Sequence, residues 1–134
     1  MKKVLCIILI ILCTLLVACG NDTDNTNKGE SAMYEQITAE EAKAIMDSGD
    51  DFIILDVREQ DEFDAGHIPG AILLPYTKIE KKAEEMLPDK DKQILVYCRS
   101  GRRSKIAAEA LARLGYTNIK EFGGIIDWPY EVEK

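Results

Sequence analysis

The sequence predicts an α/β fold in which a central, mostly parallel five-stranded sheet carries helices on both faces, a three-layer arrangement. Two observations predict it. From Tyr34 onward, short apolar runs alternate with segments of helical periodicity. Two of these runs, Phe52–Leu55 and Ile94–Tyr97, are apolar throughout, as expected of strands covered on both faces. Alternating strands and helices need crossover connections, which make neighbouring strands parallel. A length of 134 residues suits one such domain.

The elements follow in order. Tyr34–Ile37 reads as a short first strand. Thr38 and Glu41 have the spacing of a capping box, in which hydroxyl and carboxylate each close the other's free backbone N–H. Ala42, Ile45 and Met46 then share a helical face, and Ser48-Gly49 stops the helix. After the Phe52–Leu55 strand, residues 59–65 form a short helix stopped by Gly66. Residues 71–74 read as a buried strand. Ile79, Ala83, Met86 and Leu87 recur at helical spacing before Pro88. The Ile94–Tyr97 strand precedes a helix whose stripe is Ala107, Ala110, Leu111 and Leu114, with Lys105–Glu109 and Glu109–Arg113 pairs expected toward solvent and Gly115 at its end. Ile119–Phe122 is the last strand, followed by Gly123-Gly124 and a short segment around Trp128. The six residues beyond Trp128 promise little cover over a site there.

The amino terminus reads as an address. Lys2 and Lys3 precede an uncharged run from Val4 to Ala18. That run is short against the roughly 20 apolar residues that span a bilayer and fits a secretory signal peptide, residues 1–18. Leu16-Val17-Ala18-Cys19 resembles the bacterial lipobox, which implies cleavage before Cys19 and a lipid on its thiol. The alternative is an uncleaved anchor with an incidental cysteine. Either puts the domain outside the cytoplasmic membrane, held to it by lipid on Cys19 or by the anchor. Residues 19–33, polar from Gly20 to Ser31, read as a tether, and residues 34–134 as the domain.

Charge and cysteine usage narrow the function. The chain has 17 basic and 24 acidic residues and a net charge of −7. Losing Lys2 and Lys3 leaves 15 basic residues against 24 acidic, or −9. That balance argues against nucleic acid as a partner. One histidine makes a His-rich metal site impossible, and no metal or cofactor is expected. Of the four cysteines, Cys6 and Cys13 leave with the signal and Cys19 becomes a thioether, so Cys98 is the remaining thiol. A lone thiol in an oxidising compartment is a hazard unless it is used.

Cys98 stands between a buried strand and a helix, at the sheet edge where ligands bind in such folds. It opens the segment Cys98-Arg99-Ser100-Gly101-Arg102-Arg103-Ser104-Lys105. A tight strand-to-helix loop aims backbone N–H groups inward and favours an anion, here a thiolate or a group attached to it. Gly101 permits the turn. Arg102, Arg103 and Lys105 oppose the helix macrodipole and cost stability unless an anion offsets them. The competing interpretation is a buried core cysteine followed by a basic helix start.

Taken together, Asp56-Val57-Arg58-Glu59, Phe63, Gly66-His67-Ile68-Pro69-Gly70-Ala71, the Cys98–Ser104 loop, and Gly123-Gly124 with Trp128 fall in the order and spacing of one family. Over about residues 34 to 130 the chain resembles a single-domain rhodanese, a sulfurtransferase. The resemblance implies a rhodanese-like fold and a persulfide on Cys98. A small anionic donor such as thiosulfate would supply the sulfur, and cyanide or a thiol, including one carried by a protein partner, would accept it. The N–H groups of Arg99 to Ser104 would cradle the persulfide, with Arg99, Arg102 and Arg103 guiding the donor and Ser104 capping the helix. Asp56 and Arg58 would support the loop, or simply form a structural ion pair. His67 reads as a turn buttress, and Trp128 as core or pocket wall, with Gly123-Gly124 letting the chain pass close to the site.

Two other functions fit parts of the pattern. One is a sulfur carrier or binding module without turnover. The other is a phosphatase or arsenate-reductase type of enzyme, whose loop reads Cys-x5-Arg. Here that sixth position is Ser104, and Arg103 comes one residue early. The shorter loop suits one sulfur better than a phosphoryl group.

Overall fold

The structure, a computed structural model, describes residues 33–134. The signal segment 1–18, Cys19 and all of the tether except Met33 lie outside the described residues. In chain order the elements are β1 (Glu35–Gln36), α1 (Ala39–Asp47), β2 (Phe52–Asp56), α2 (Gln60–Ala65), β3 (Ile72–Leu73), α3 (Ile79–Met86), β4 (Gln93–Cys98), α4 (Arg102–Arg113) and β5 (Ile119–Gly124). Single 3-10 turns, Tyr76–Lys78 and Ile125–Asp127, precede α3 and follow β5.

The five strands run in the order β1-β5-β4-β2-β3, and every pairing within the sheet is parallel. β4 lies at the centre, so its side chains alternate between two buried layers. Ile94, Val96 and Cys98 point into the layer shared with Ile79 and Ala83 of α3 and Ala107 and Leu111 of α4. Leu95 and Tyr97 point into the opposite layer, with Ala42 of α1, Phe122 and Trp128. Each fully buried Leu or Ile contributes about 1.5–3 kcal/mol relative to an exposed one. This alternation places the Cys98 sulfur beneath α4.

Local signals account for most boundaries. The Thr38–Glu41 capping box is formed in both directions, at 3.1 and 2.7 Å. Three expectations need correction. Residues 71–74 do not form a buried strand: β3 is two residues at the sheet edge, and Ile72 is 37% exposed. An apolar run cannot reveal which strand lies last in the order. Met86 faces solvent, leaving Leu87 to fill the core. On α4, Arg113 reaches across to Glu80 of α3. Neither expected pair along the helix, Lys105–Glu109 or Glu109–Arg113, is formed among the described residues.

A candidate thiolate cradle at Cys98

Cys98 is the last residue of β4 and is almost fully buried. The chain turns at Gly101, whose φ of 105° suits glycine and is strained for any residue with a β-carbon. That turn points the Gly101 N–H at the Cys98 sulfur, 3.0 Å away. The Ser104 hydroxyl lies 3.4 Å from the same sulfur. Burial pushes the Cys98 thiol up, but the Ser104 hydroxyl and the N–H groups of Ser104, Gly101 and Ser100 outweigh it, and the pKa lies below the ordinary thiol value.

A second strand closes the loop from behind. A β-carbon on Gly124 would stand 1.9 Å from the Arg99 carbonyl oxygen and 2.5 Å from the Ser100 nitrogen. The bare backbone of β5 is therefore what lets the loop lie against it. The Ile126 N–H then donates to the Arg99 carbonyl at 3.2 Å, fixing the loop to the turn beyond β5.

The other loop residues divide by role. Arg99, Ser100 and Arg102 are exposed. Arg103 is not a free guide for a donor, because its guanidinium makes a two-pronged contact with Glu62 of α2, at 2.7 Å on each prong. The Arg103 guanidinium pulls the Glu62 carboxyl down to about 2. Ser104 does not cap α4: the N-cap is Gly101, which has no side chain. Ser104 is fully buried in the first turn, where its hydroxyl lies 2.6 Å from Glu121 Oε1 and 2.9 Å from the Gly101 carbonyl oxygen.

Asp56 and Arg58 are buried together at the end of β2. Arg58 donates to both Asp56 oxygens and, at 2.7 Å, to the Gly66 carbonyl. The Tyr97 hydroxyl donates to Asp56 at 2.7 Å and accepts the Ile68 N–H at 3.1 Å. These hydrogen bonds fasten residues 66–68 to the sheet rather than running to the Cys98 loop. His67 stacks on Phe63, with ring centroids 3.8 Å apart, and its Nδ1 is 2.9 Å from the Phe63 carbonyl oxygen. Its backbone pairs with Glu133 in both directions at 2.8 Å. Trp128 is buried and walls a hollow of about 780 Å³ with Met46, Phe52, Ile54, Ile68 and Tyr130, but no residue of the Cys98 loop lines that hollow.

Sequence reasoning missed two residues here, Glu62 and Glu121, whereas the close approach expected at Gly123-Gly124 is found at Gly124. Only Glu121 carried a signal, a carboxylate inside a run otherwise fit for burial.

The comparisons with known proteins agree with this geometry. The rhodanese-like domain family matches residues 38–129. YrkF of Bacillus subtilis, a proposed sulfur carrier protein, is 36% identical over 82% of this chain and 58% of its own length. The thiosulfate sulfurtransferase PspE of Escherichia coli is 36% identical over 54% of this chain and 70% of its own. A rhodanese-related protein of Thermoplasma volcanium, solved as a crystal structure, superposes with a TM-score of 0.65 at 32% identity, covering 75% of this chain and 98% of that one. A five-stranded parallel sheet, a cysteine at the end of its central strand and a family match across most of the domain lead to one conclusion: the chain belongs to the rhodanese-like family.

Proposed function

We propose that the protein is an extracytoplasmic sulfurtransferase, tethered to a bacterial membrane through lipid on Cys19, that carries sulfane sulfur as a Cys98 persulfide. The observation that carries this reading is the Cys98 sulfur set under the N–H groups of Ser100, Gly101 and Ser104, with a lowered pKa. The thiolate attacks the outer sulfur of thiosulfate, the S–S bond of the donor breaks, and sulfite leaves with the electron pair. The terminal sulfur of the resulting persulfide carries the negative charge, and converging N–H groups stabilise it. Cyanide then attacks that sulfur, thiocyanate leaves and the thiolate returns; a thiol acceptor takes the sulfur in the same way. Two half-reactions through a covalent intermediate give ping-pong kinetics.

Intact mass tests the intermediate. Incubation with thiosulfate is expected to add one sulfur atom to the protein, removable by cyanide and absent in Cys98→Ser. No mass gain on the native protein would overturn the reading. For the tether, Cys19→Ala is expected to lose lipid labelling and membrane partition; unchanged labelling in that variant refutes it.

A second reading is supported by the likeness to YrkF: the domain loads sulfur and delivers it to a partner protein without turning over small acceptors. Steady-state thiosulfate:cyanide turnover separates the two. Phosphoryl chemistry is disfavoured because Ser104 stands at the Cys-x5-Arg position and Arg103, one residue earlier, is engaged by Glu62. Negligible hydrolysis of aryl phosphates is expected, and robust Cys98-dependent hydrolysis would contradict it.

A further inference from the structure

Glu121 lies in β5 directly behind the loop and is 2% exposed. Its Oε1 accepts the Gly123 N–H at 2.8 Å and meets the Ser104 hydroxyl at 2.6 Å. No Lys, Arg or His forms an ion pair with it among the described residues. Charge buried without a counter-ion is costly, so what Glu121 does with its charge matters to its neighbours.

The Ser104 oxygen is the common neighbour. Within 3.4 Å it has the Cys98 sulfur, Glu121 Oε1, and the carbonyl oxygens of Gly101 and Gly123. A hydroxyl has one proton to give and two lone pairs to receive. The 2.6 Å contact to the carboxylate is the shortest of the four and is charge-assisted, so the proton rests there while Cys98 is a thiol. The thiol S–H then points at the Ser104 lone pair. Once Cys98 is a thiolate, the Ser104 hydroxyl must donate to the sulfur, and it can no longer donate to Glu121.

We propose that Glu121 is a positioning residue for Cys98 that holds the thiol's proton through the Ser104 hydroxyl. The S–H bond breaks and its proton goes to Ser104 Oγ, while the original Ser104 proton passes to Glu121 Oε1. The thiolate keeps the sulfur electron pair, Ser104 now donates to it, and the carboxylic acid donates to Ser104. Nothing enters or leaves, and one negative charge moves from carboxylate to sulfur. Cys98 and Glu121 thus share one proton through the Ser104 hydroxyl. This rests on Cys98 being the working thiol but not on the identity of donor or acceptor.

The surrounding groups do not replace this exchange. Tyr34, beside β1, and Glu109, on α4, are the titratable neighbours on this face. Burial, then Glu109 and Glu121, hold the Tyr34 phenol protonated, so it brings no compensating charge. Arg103, which feels the Cys98 charge, is bound to Glu62.

The test is the pH profile of Cys98 alkylation by iodoacetamide on the full chain, read by mass on the Cys98 peptide. It needs no sulfur transfer, so it fails or succeeds independently of turnover. The native protein is expected to show two rises, the second marking loss of the shared proton. Glu121→Gln is expected to collapse them into one step at lower pH than the second, with alkylation about tenfold faster between the two, since rate follows the thiolate fraction. Ser104→Ala, which cuts the relay, is expected to give one step displaced upward. A Glu121→Gln profile that superimposes on the native one overturns the proposal. Infrared difference spectra between native protein and Cys98→Ser give a second reading that survives if Glu121→Gln fails to fold. A protonated-carboxyl stretch in the native protein supports the relay, and its absence at neutral pH refutes it.

Discussion

Arg103 and Glu62 meet through a fork, Nη1 to Oε2 and Nη2 to Oε1, each 2.7 Å long. The fork joins the first turn of α4 to α2, a segment 41 residues earlier. A cation that would otherwise oppose the α4 macrodipole is thereby offset by a carboxylate of the same chain. Arg99 and Arg102 of the same loop stay exposed.

The fork makes stability acid-sensitive in a defined window. Glu62 falls from 4.5 to about 2 in the folded protein, chiefly through the Arg103 hydrogen bonds. A depressed folded pKa contributes stability that is complete above the unfolded value and is lost as pH falls through the folded one. Glu62→Gln is therefore expected to lower the urea midpoint at pH 7. The gap to the native protein should close between 4.5 and about 2. A gap that stays constant across that range would show that the carboxylate charge is not the cause.

Cys98→Ser should reduce thiosulfate:cyanide turnover to background. The swap is nearly isosteric and keeps an acceptor for the Gly101 N–H, so stability should change by no more than about 1 kcal/mol. Turnover comparable to native would remove Cys98 as the nucleophile.

Gly124→Ala should be among the most damaging single substitutions near the site. Its β-carbon would meet the Arg99 carbonyl oxygen at 1.9 Å, and both partners are backbone, so the loop itself must move. A loss of about 3 kcal/mol is expected, with a fall in sulfur transfer larger than the unfolded fraction explains. Chemical denaturation together with activity at low denaturant checks both.

His67→Ala should cost stability rather than chemistry. The ring stacks on Phe63 and bonds its carbonyl, while its contacts stay clear of the Cys98 loop. A loss of about 1–2 kcal/mol with turnover within a few-fold of native is expected. A collapse of turnover with unchanged melting would assign the imidazole a chemical role.

What was legible in the sequence was short in range. The Thr38–Glu41 box, the apolar runs of β2 and β4 and the turn at Gly101 are all written within a few consecutive residues. Glu62 is different: its neighbours mark it as a helix-start acid, and nothing local says that its partner is Arg103. The Gly123-Gly124 pair announced a close approach near the site, but nothing local says that Gly124 is the one packed on the backbone of Arg99. Ile72 shows the same limit, since strand order and edge exposure arise from the assembled sheet.

The strand order also governs when the sheet can be completed. Among the described residues β1 pairs only with β5, and the partners Glu35 of β1 and Lys120 of β5 are 85 residues apart. Closing so long a loop brings no contact energy until its ends meet, and pairings of this range slow folding. During synthesis β2 and β4 can associate as soon as residue 98 is available, whereas β1 has no sheet partner until β5 is complete. Glu121, which contacts Ser104, lies on that final strand. The cysteine loop therefore acquires its buried support in the same late event that seats β1, so a chain truncated before β5 would carry the thiol without the surroundings that tune it.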